Sequence, residues 1–278
     1  MITRPLVLKF GGELLEDRAH LAGVVRALAA IVAAGAPVAV VHGGGKEIDA
    51  ALKAAGLEKR QVDGLRITDE ATLEVVVSVL AGAVNTRFVA ALNTAAVAAV
   101  GLTGADGACG LSAAAPPHRA VDGRIVDLGR VGVPETGADT RLLQTLMAER
   151  FVPVVACIGL GRDGRLFNVN ADTFAGHLAA RLGARRLVIA GTTAGVLDAG
   201  GATLPILPAD AVARLVNDGT ATAGMIAKLR ACEHALAGGV DDVVIVDGRD
   251  RAALVAAAGE GPVASATRIT ALDVARRL

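Results

Sequence analysis

The chain has 278 residues, 53% of them hydrophobic and only 2% aromatic, with 34 glycines and neither Trp nor Tyr. Its 28 Lys+Arg balance 28 Asp+Glu, no basic run occurs, and side chains that could stack on bases are scarce, so no nucleic-acid partner is expected. Such a chain is globular, not disordered, and long enough for one large domain or two lobes around a sizeable core.

The first residues run straight into an apolar stretch with no leader pattern. No apolar run reaches the roughly 18 residues of a membrane span, so no membrane partner is expected. Cys109, Cys157 and Cys232 are odd in number and form no CxxC. They read as reduced thiols of a cytoplasmic protein, not as a disulfide or zinc frame.

Pro5–Gly12 (PLVLKFGG) reads as a short buried strand ending in Lys9 and the pair Gly11-Gly12. A lysine at a strand tip before two glycines suits a phosphate site, because glycine lets backbone N–H groups approach a ligand. A tight turn with a surface lysine reads equally well from this stretch alone. Asp17–Ala34 has apolar residues at helical spacing and stops at Gly35. Val38–Val41 is a second strand, leading into His42-Gly43-Gly44-Gly45 and a helix over Lys46–Ala55. Two strand–glycine–helix units predict a mainly parallel α/β sheet with right-handed crossovers.

Further along, Thr68 is placed to cap a helix running to about Ala81, and a second helix is expected over Ala83–Ala96. Val97–Leu102 reads as a strand, Asp122-Gly123 as a hairpin turn, Thr140–Glu149 as a helix and Val152–Ile158 as one buried strand. After a short strand before Asn168, helices are expected over Ala171–Leu182, Pro208–Asn217 and from Thr222 through Lys228, with strands at Leu187–Ala190 and Val243–Val246. A last helix covers Arg251–Ala258. Gly183 is the expected boundary between an N-terminal lobe, 1–183, and a C-terminal lobe, 184–278.

Several motifs carry chemistry. Gly159, Gly161 and Gly164 match G-x-G-x-x-G, but the following residues look extended, whereas a dinucleotide site needs a helix there. The P-loop pattern is absent, since Gly45-Lys46 is followed by Glu47. The three glycines after His42 favour anion binding, with close backbone packing as the alternative. Arg66 is a candidate carboxylate clamp. Asn168, Asn170 and Asp172 cluster between an apolar strand and an apolar helix, which suggests a site, although Asn and Asp also serve turns and caps. Lys228 alone reads as a surface lysine.

In order along the chain, LVLKFGG, VVHGGGKEID, GLRIT, LAGAVN, VGLTGADG, VPVVACIG, LFNVNAD and GMIAKL resemble the amino-acid kinase family over nearly the whole length. The resemblance implies a three-layer αβα sandwich around a central, mainly parallel sheet. It also implies phosphoryl transfer from ATP, with Mg²⁺ held mainly by the nucleotide phosphates, to the side-chain carboxylate of N-acetyl-L-glutamate. Within it, Lys9 matches the lysine that contacts the transferring phosphoryl group, Lys228 the second lysine, on the nucleotide side, and Asp172 the aspartate that holds them. Gly11, Gly12 and Gly44 match backbone donors to the phosphates. Gly44 and Gly45 flank the acylated amino acid, while Arg66 and Asn168 hold its α-carboxylate and neighbouring groups. Thr192, Gly195, Leu197, Thr222 and Gly224 fall on the nucleotide side. No protein metal ligand is implied.

The chain departs from the pattern at Gly191-Thr192-Thr193, where many relatives have an aspartate, at Ala223, and at Thr86, where a lysine is common. Rival readings are a kinase for carrier-bound aminoadipate or glutamate, against which Gly45 and the NVNAD run speak, and a silent sensor of an amino acid or nucleotide. Arginine-inhibited relatives carry an extra N-terminal helix; with four residues before its first strand, this chain is expected to be a homodimer that arginine inhibits weakly or not at all.

Overall fold

The computed structural model describes residues 4–198, 200–217, 223–261, 263 and 265–271. The first apolar stretch forms β1 (Leu6–Phe10), buried along its whole length. Gly11 and Gly12 lead into the single turn α1 (Glu13–Glu16). Asp17 then starts α2 (Arg18–Ala33) by accepting from the Ala19 and His20 amides at 2.9 Å, which satisfies two otherwise orphaned donors. Gly35 ends the helix at φ 89°, where a side chain would be strained. The same pattern repeats in β2 (Val38–His42) and α3 (Gly45–Ala54), followed by the small hairpin β3 (Gln61–Val62) and β4 (Leu65–Arg66).

Residues 70–94 differ from the reading above. α4 (Glu70–Val77), a π-helical turn at Ser78–Val84 and α5 (Asn85–Thr94) are continuous, so Gly82 lies within the π-helical turn and does not break the helix. The cap is Asp69, which accepts from the Thr72 amide at 2.8 Å, one residue beyond Thr68. By length and composition this rod is long and apolar enough to cross a membrane, although no uninterrupted apolar run in it reaches that length. Here Val76, Leu80, Val84, Phe88 and Leu92 bury one stripe of it in the core.

The chain continues through β5 (Ala99–Thr103), β6 (Ser112–Ala114), the hairpin β7 (His118–Arg119) and β8 (Ile125–Val126), β9 (Val131–Pro134) and α6 (Arg141–Ala148). Asp122-Gly123 lies in the turn of that hairpin, with Gly123 at φ 88°. Val152–Ile158 is two strands, not one: β10 (Val152–Ala156) belongs to the central sheet, and β11 (Ile158–Leu160) turns away into a smaller one. β11 pairs antiparallel with β12 (Leu166–Val169), and the G-x-G-x-x-G glycines lie in and after β11, up to the turn between them. No helix starts there, so the dinucleotide motif is a coincidence of spacing.

Asn170 caps α7 (Ala171–Arg181), accepting from the Asp172 and Thr173 amides at 2.9 and 3.1 Å. The remaining elements are β13 (Arg186–Gly191), β14 (Ile206–Pro208), α8 (Ala209–Asn217), α9 (Ala223–Ala237), β15 (Asp242–Asp247), α10 (Arg251–Ala258) and β16 (Ala266–Thr270). The 8-stranded sheet has the order β14-β16-β15-β13-β1-β2-β10-β5. Every neighbouring pair is parallel except β15 with β16. α2, α5 and α10 cover one face and α6, α7 and α9 the other. This is the expected three-layer sandwich, and burial on both faces explains why its central strands are continuous apolar runs.

β1 lies between β2 and β13, with Phe10 in register with both His42 and Ala190. Their carboxyl ends therefore open on one crevice. A crevice at that end of such a sheet is where α/β folds bind ligands.

Candidate active site

The glycine loops after β1 and β2 meet backbone to backbone. A Cβ on Gly12 would lie 2.6 Å from the Gly44 Cα, and one on Gly44 would lie 2.8 Å from Leu80 Cδ2. At Gly12 only glycine permits the contact, because backbone stands in the way, whereas at Gly44 the Leu80 side chain would have to shift. Gly45 differs: no atom comes within 4 Å of its would-be Cβ, so packing does not require it.

Beneath these loops lies a cavity of about 280 Å³, whose wall includes Lys9, Gly44, Arg66, Asn168 and Asp172. Lys9 Nζ is 2.9 Å from Asp172 Oδ1, with the two side chains only 7% and 10% exposed. That oxygen accepts no hydrogen bond, so the contact is an ion pair without hydrogen-bond geometry. The pairing makes burial of both charges tolerable.

Arg66 Nη2 reaches Asp49 at 2.5 Å and Gly45 O at 3.4 Å. Its buried Nη1 has no partner among the described residues. Half of the guanidinium fork is thus committed and half is open. Burial pushes the Asp49 carboxyl up, but its hydrogen bonds from Lys59 and Arg66 outweigh that and hold it below the usual carboxylate range. Asn168 Nδ2 donates to Thr68 Oγ1 at 3.1 Å. Thr68 is fully buried and is strapped by Leu128 and Arg130 through backbone hydrogen bonds of 3.0 and 2.6 Å. Thr68 therefore orients Asn168, a part not read from the sequence.

Asn85 was also missed. Its Nδ2 donates to Val154 O at 2.9 Å and to His42 Nε2 at 3.0 Å, leaving the His42 Nδ1–H to donate to Gly43 O at 3.2 Å. A Cβ on Gly101 would strike Asn85 Oδ1, so the glycine inside β5 was the available signal. Complete burial pushes His42 down to about 4 and keeps the ring neutral near pH 7. His42 anchors the glycine loop from below. Cys157 also lines the cavity, but burial pushes its thiol up to about 12, which rules it out as a nucleophile near neutral pH.

The cavity gathers Lys9, Gly11, Gly12, Gly44, Gly45, Arg66, Asn168 and Asp172 from the sequence-predicted set. Lys228 stands outside it on α9, with its Cε 3.9 Å from the position a Cβ on Gly191 would take. Thr192 and Leu197 are on the exposed side of the loop after β13. Gly195, at φ 117°, packs against β16, where a Cβ would come 2.8 Å from the Thr267 amide. Gly224 lies in the first turn of α9, and Thr222 is outside the described residues.

The model of one protein family, the amino acid kinase family, matches residues 4–247. The chain belongs to the amino acid kinase family. An acetylglutamate kinase of Novosphingobium aromaticivorans is 42% identical over 88% of this chain and 84% of its own. One of Erythrobacter litoralis is 41% identical, over 88% and 83%. Relatives of that identity and coverage make this chain an enzyme of the kinase type. An N-acetylglutamate synthase of Neisseria gonorrhoeae, solved with coenzyme A and N-acetyl-glutamate, superposes with a TM-score of 0.80 at 25% identity. It covers 96% of this chain, which spans only 59% of the synthase. A carbamate kinase of Giardia lamblia, solved with AMP-PNP, shares the fold with a TM-score of 0.70 at 15% identity.

Proposed function

We propose that the chain transfers the γ-phosphoryl group of ATP to the side-chain carboxylate of N-acetyl-L-glutamate, giving N-acetyl-L-glutamyl 5-phosphate and ADP, the second step of arginine biosynthesis. The observation that carries the substrate side is one cavity holding a buried Lys9–Asp172 pair and an open Arg66 Nη1. The acetylglutamate kinase relatives support the same reading.

A carboxylate is already ionised near neutral pH, so the reaction needs no general base. It needs in-line positioning and offset of negative charge. On this reading Lys9 faces the transferring group and Asp172 holds it. Arg66 takes the substrate α-carboxylate on its open edge, Asn168 the neighbouring polar groups, and Gly44 and Gly45 flank the acyl chain. Lys228 serves the nucleotide side with Gly11 and Gly12, and Thr192, Gly195, Leu197, Thr222 and Gly224 complete that side. Mg²⁺, held mainly by the phosphates, supplies further neutralisation. Residues 1–183 would then carry the acyl amino acid and 184–278 the nucleotide. The proposed assembly is a cytoplasmic homodimer, checked by light scattering and fractionation.

The test is ADP release with MgATP, with hydroxylamine present to trap the acyl phosphate. Acceptors are N-acetyl-L-glutamate, glutamate, aspartate and N-acetyl-aminoadipate. Hydroxamate formed from N-acetyl-L-glutamate alone is the expected result. ATP binding without turnover on any acceptor would overturn the substrate and leave a carrier-bound acceptor or a sensor.

A further inference from the structure

Glu13 is the one cavity residue with a charged side chain to which neither the sequence motifs nor the reading above assigns a task. It follows directly on Gly11-Gly12 and lines the cavity that holds Lys9 and Asp172. Its carboxylate sits over the Gly11 Cα, in the space a side chain there would fill. Its Oε1 is 3.5 Å from the position of a would-be Gly191 Cβ, the point that Lys228 Cε approaches at 3.9 Å. Glu13 therefore stands where the two sides of the crevice meet. It makes no hydrogen bond or ion pair among the described residues, whereas the Asp172 carboxylate is committed to Lys9.

An uncompensated carboxylate on the path of a polyphosphate repels it. The position makes chemical sense if a cation stands between the two. Among the described residues no group of three or more His, Cys, Asp and Glu could cage a metal by itself. Magnesium needs no such cage: the ion keeps several waters and takes one or two carboxylates together with substrate phosphates. A single free carboxylate beside a glycine cradle fits that requirement.

We propose that Glu13 is the protein's carboxylate ligand, direct or through one water, for the Mg²⁺ that accompanies the nucleotide phosphates. The proposal rests on the phosphoryl-transfer reading and deepens it, and it makes the metal's hold on the nucleotide partly the protein's own.

The experiment is calorimetric titration of ADP into wild type, Glu13→Gln and Glu13→Ala, each with excess Mg²⁺ and with EDTA, with no acceptor present. The expected result is a pair of changes of opposite sign. Both variants bind ADP with Mg²⁺ about tenfold or more weaker than wild type, and metal-free ADP several-fold tighter. Changes in the same direction, as a merely repulsive or merely structural Glu13 would produce, overturn the proposal, and so does no change. If wild type binds no ADP at all, the kinase reading falls and this proposal with it. The thermal midpoints of both variants should stay near the wild-type value, because the carboxylate makes no hydrogen bond or ion pair among the described residues.

Discussion

Lys9 and Lys228 approach the same end of the sheet from opposite sides of the crevice, in different surroundings. Lys9 is buried on β1 and locked to Asp172, which Asn170 holds in the first turn of α7. Lys228 is half-buried on α9 and has no ion pair among the described residues. A charge that is buried in every state of the protein must be paired in every state. A charge left near water can wait for its ligand. On the proposed reading, the acyl side of the crevice is thus already paired, and the nucleotide side leaves its lysine to the ligand.

The sharpest way to break this comparison is to remove each lysine in turn. Lys9→Met should lower hydroxamate turnover by at least about 10²–10³-fold. It should also destabilise the fold by roughly 3–5 kcal/mol in urea titrations, because Asp172 is left buried and alone. Adding Asp172→Leu should recover most of that stability and none of the turnover. Lys228→Met should lose comparable turnover with an unfolding free energy within about 0.5 kcal/mol of wild type. Equal instability of the two single variants would erase the distinction between the sides.

Arg66 sharpens it within the acyl side. Arg66→Lys keeps the charge but loses the planar fork, so the ion pair with Asp49 and the open Nη1 edge cannot both survive. We expect KM for N-acetyl-L-glutamate to rise about tenfold, worth ~1.4 kcal/mol, with the affinity for ATP unchanged. A rise in the KM for ATP alone would move Arg66 to the other side.

Acid should act through two buried histidines, both pushed down to about 4 by burial: His42 in the floor of the glycine loop and His177 on α7. Unfolded, His42 titrates near 6.5, and folded near 4 because of its burial. Between those values the unfolded chain binds the extra proton. The contribution is complete above about pH 6.5 and is lost as pH falls towards 4, by roughly 3 kcal/mol in all. Urea titrations at pH 4.5 and 7.5 should show most of this slope, and His42→Gln should remove about half of it, His177 carrying the rest. A slope unchanged by the substitution would place the titrating group elsewhere.

The smallest effects separate two glycines that look alike in sequence. Gly12→Ala should cost about 1–3 kcal/mol, since its Cβ meets backbone that cannot step aside. Gly45→Ala should leave the melting point unmoved and change only the KM for the acyl substrate, because its side faces open space. Equal melting points for the two would contradict the backbone-to-backbone contact.

Much of this was legible beforehand. The strand–glycine–helix rhythm of Leu6–Phe10 and Val38–His42 marked a parallel sheet, because strands buried on both faces must be apolar throughout. The Asn168–Asp172 cluster stood out because polar groups between two apolar segments need a reason. The continuous rod over 70–94 was hidden, since a glycine at 82 reads as a stop unless packing supports a wide turn. β16 was hidden as well: five residues behind a Gly- and Pro-containing stretch carry little periodicity, and its pairing with β15 is a long-range event. Glu13 and Asn85 looked ordinary because their surroundings come from segments distant in the chain.

Local sequence by itself determined the glycine hinges, the apolar strands, the Asp17 and Asn170 caps and the identity of the charged groups, because each depends on residues a few positions apart. The tertiary structure decided which of those charges are buried and paired, that one edge of Arg66 is spent on Asp49 while Nη1 has no partner among the described residues, and that Glu13 and Lys228 both approach Gly191. Those outcomes depend on strands and helices brought together from far along the chain, and in a buried site the partner, more than the residue type, sets what a charge can do.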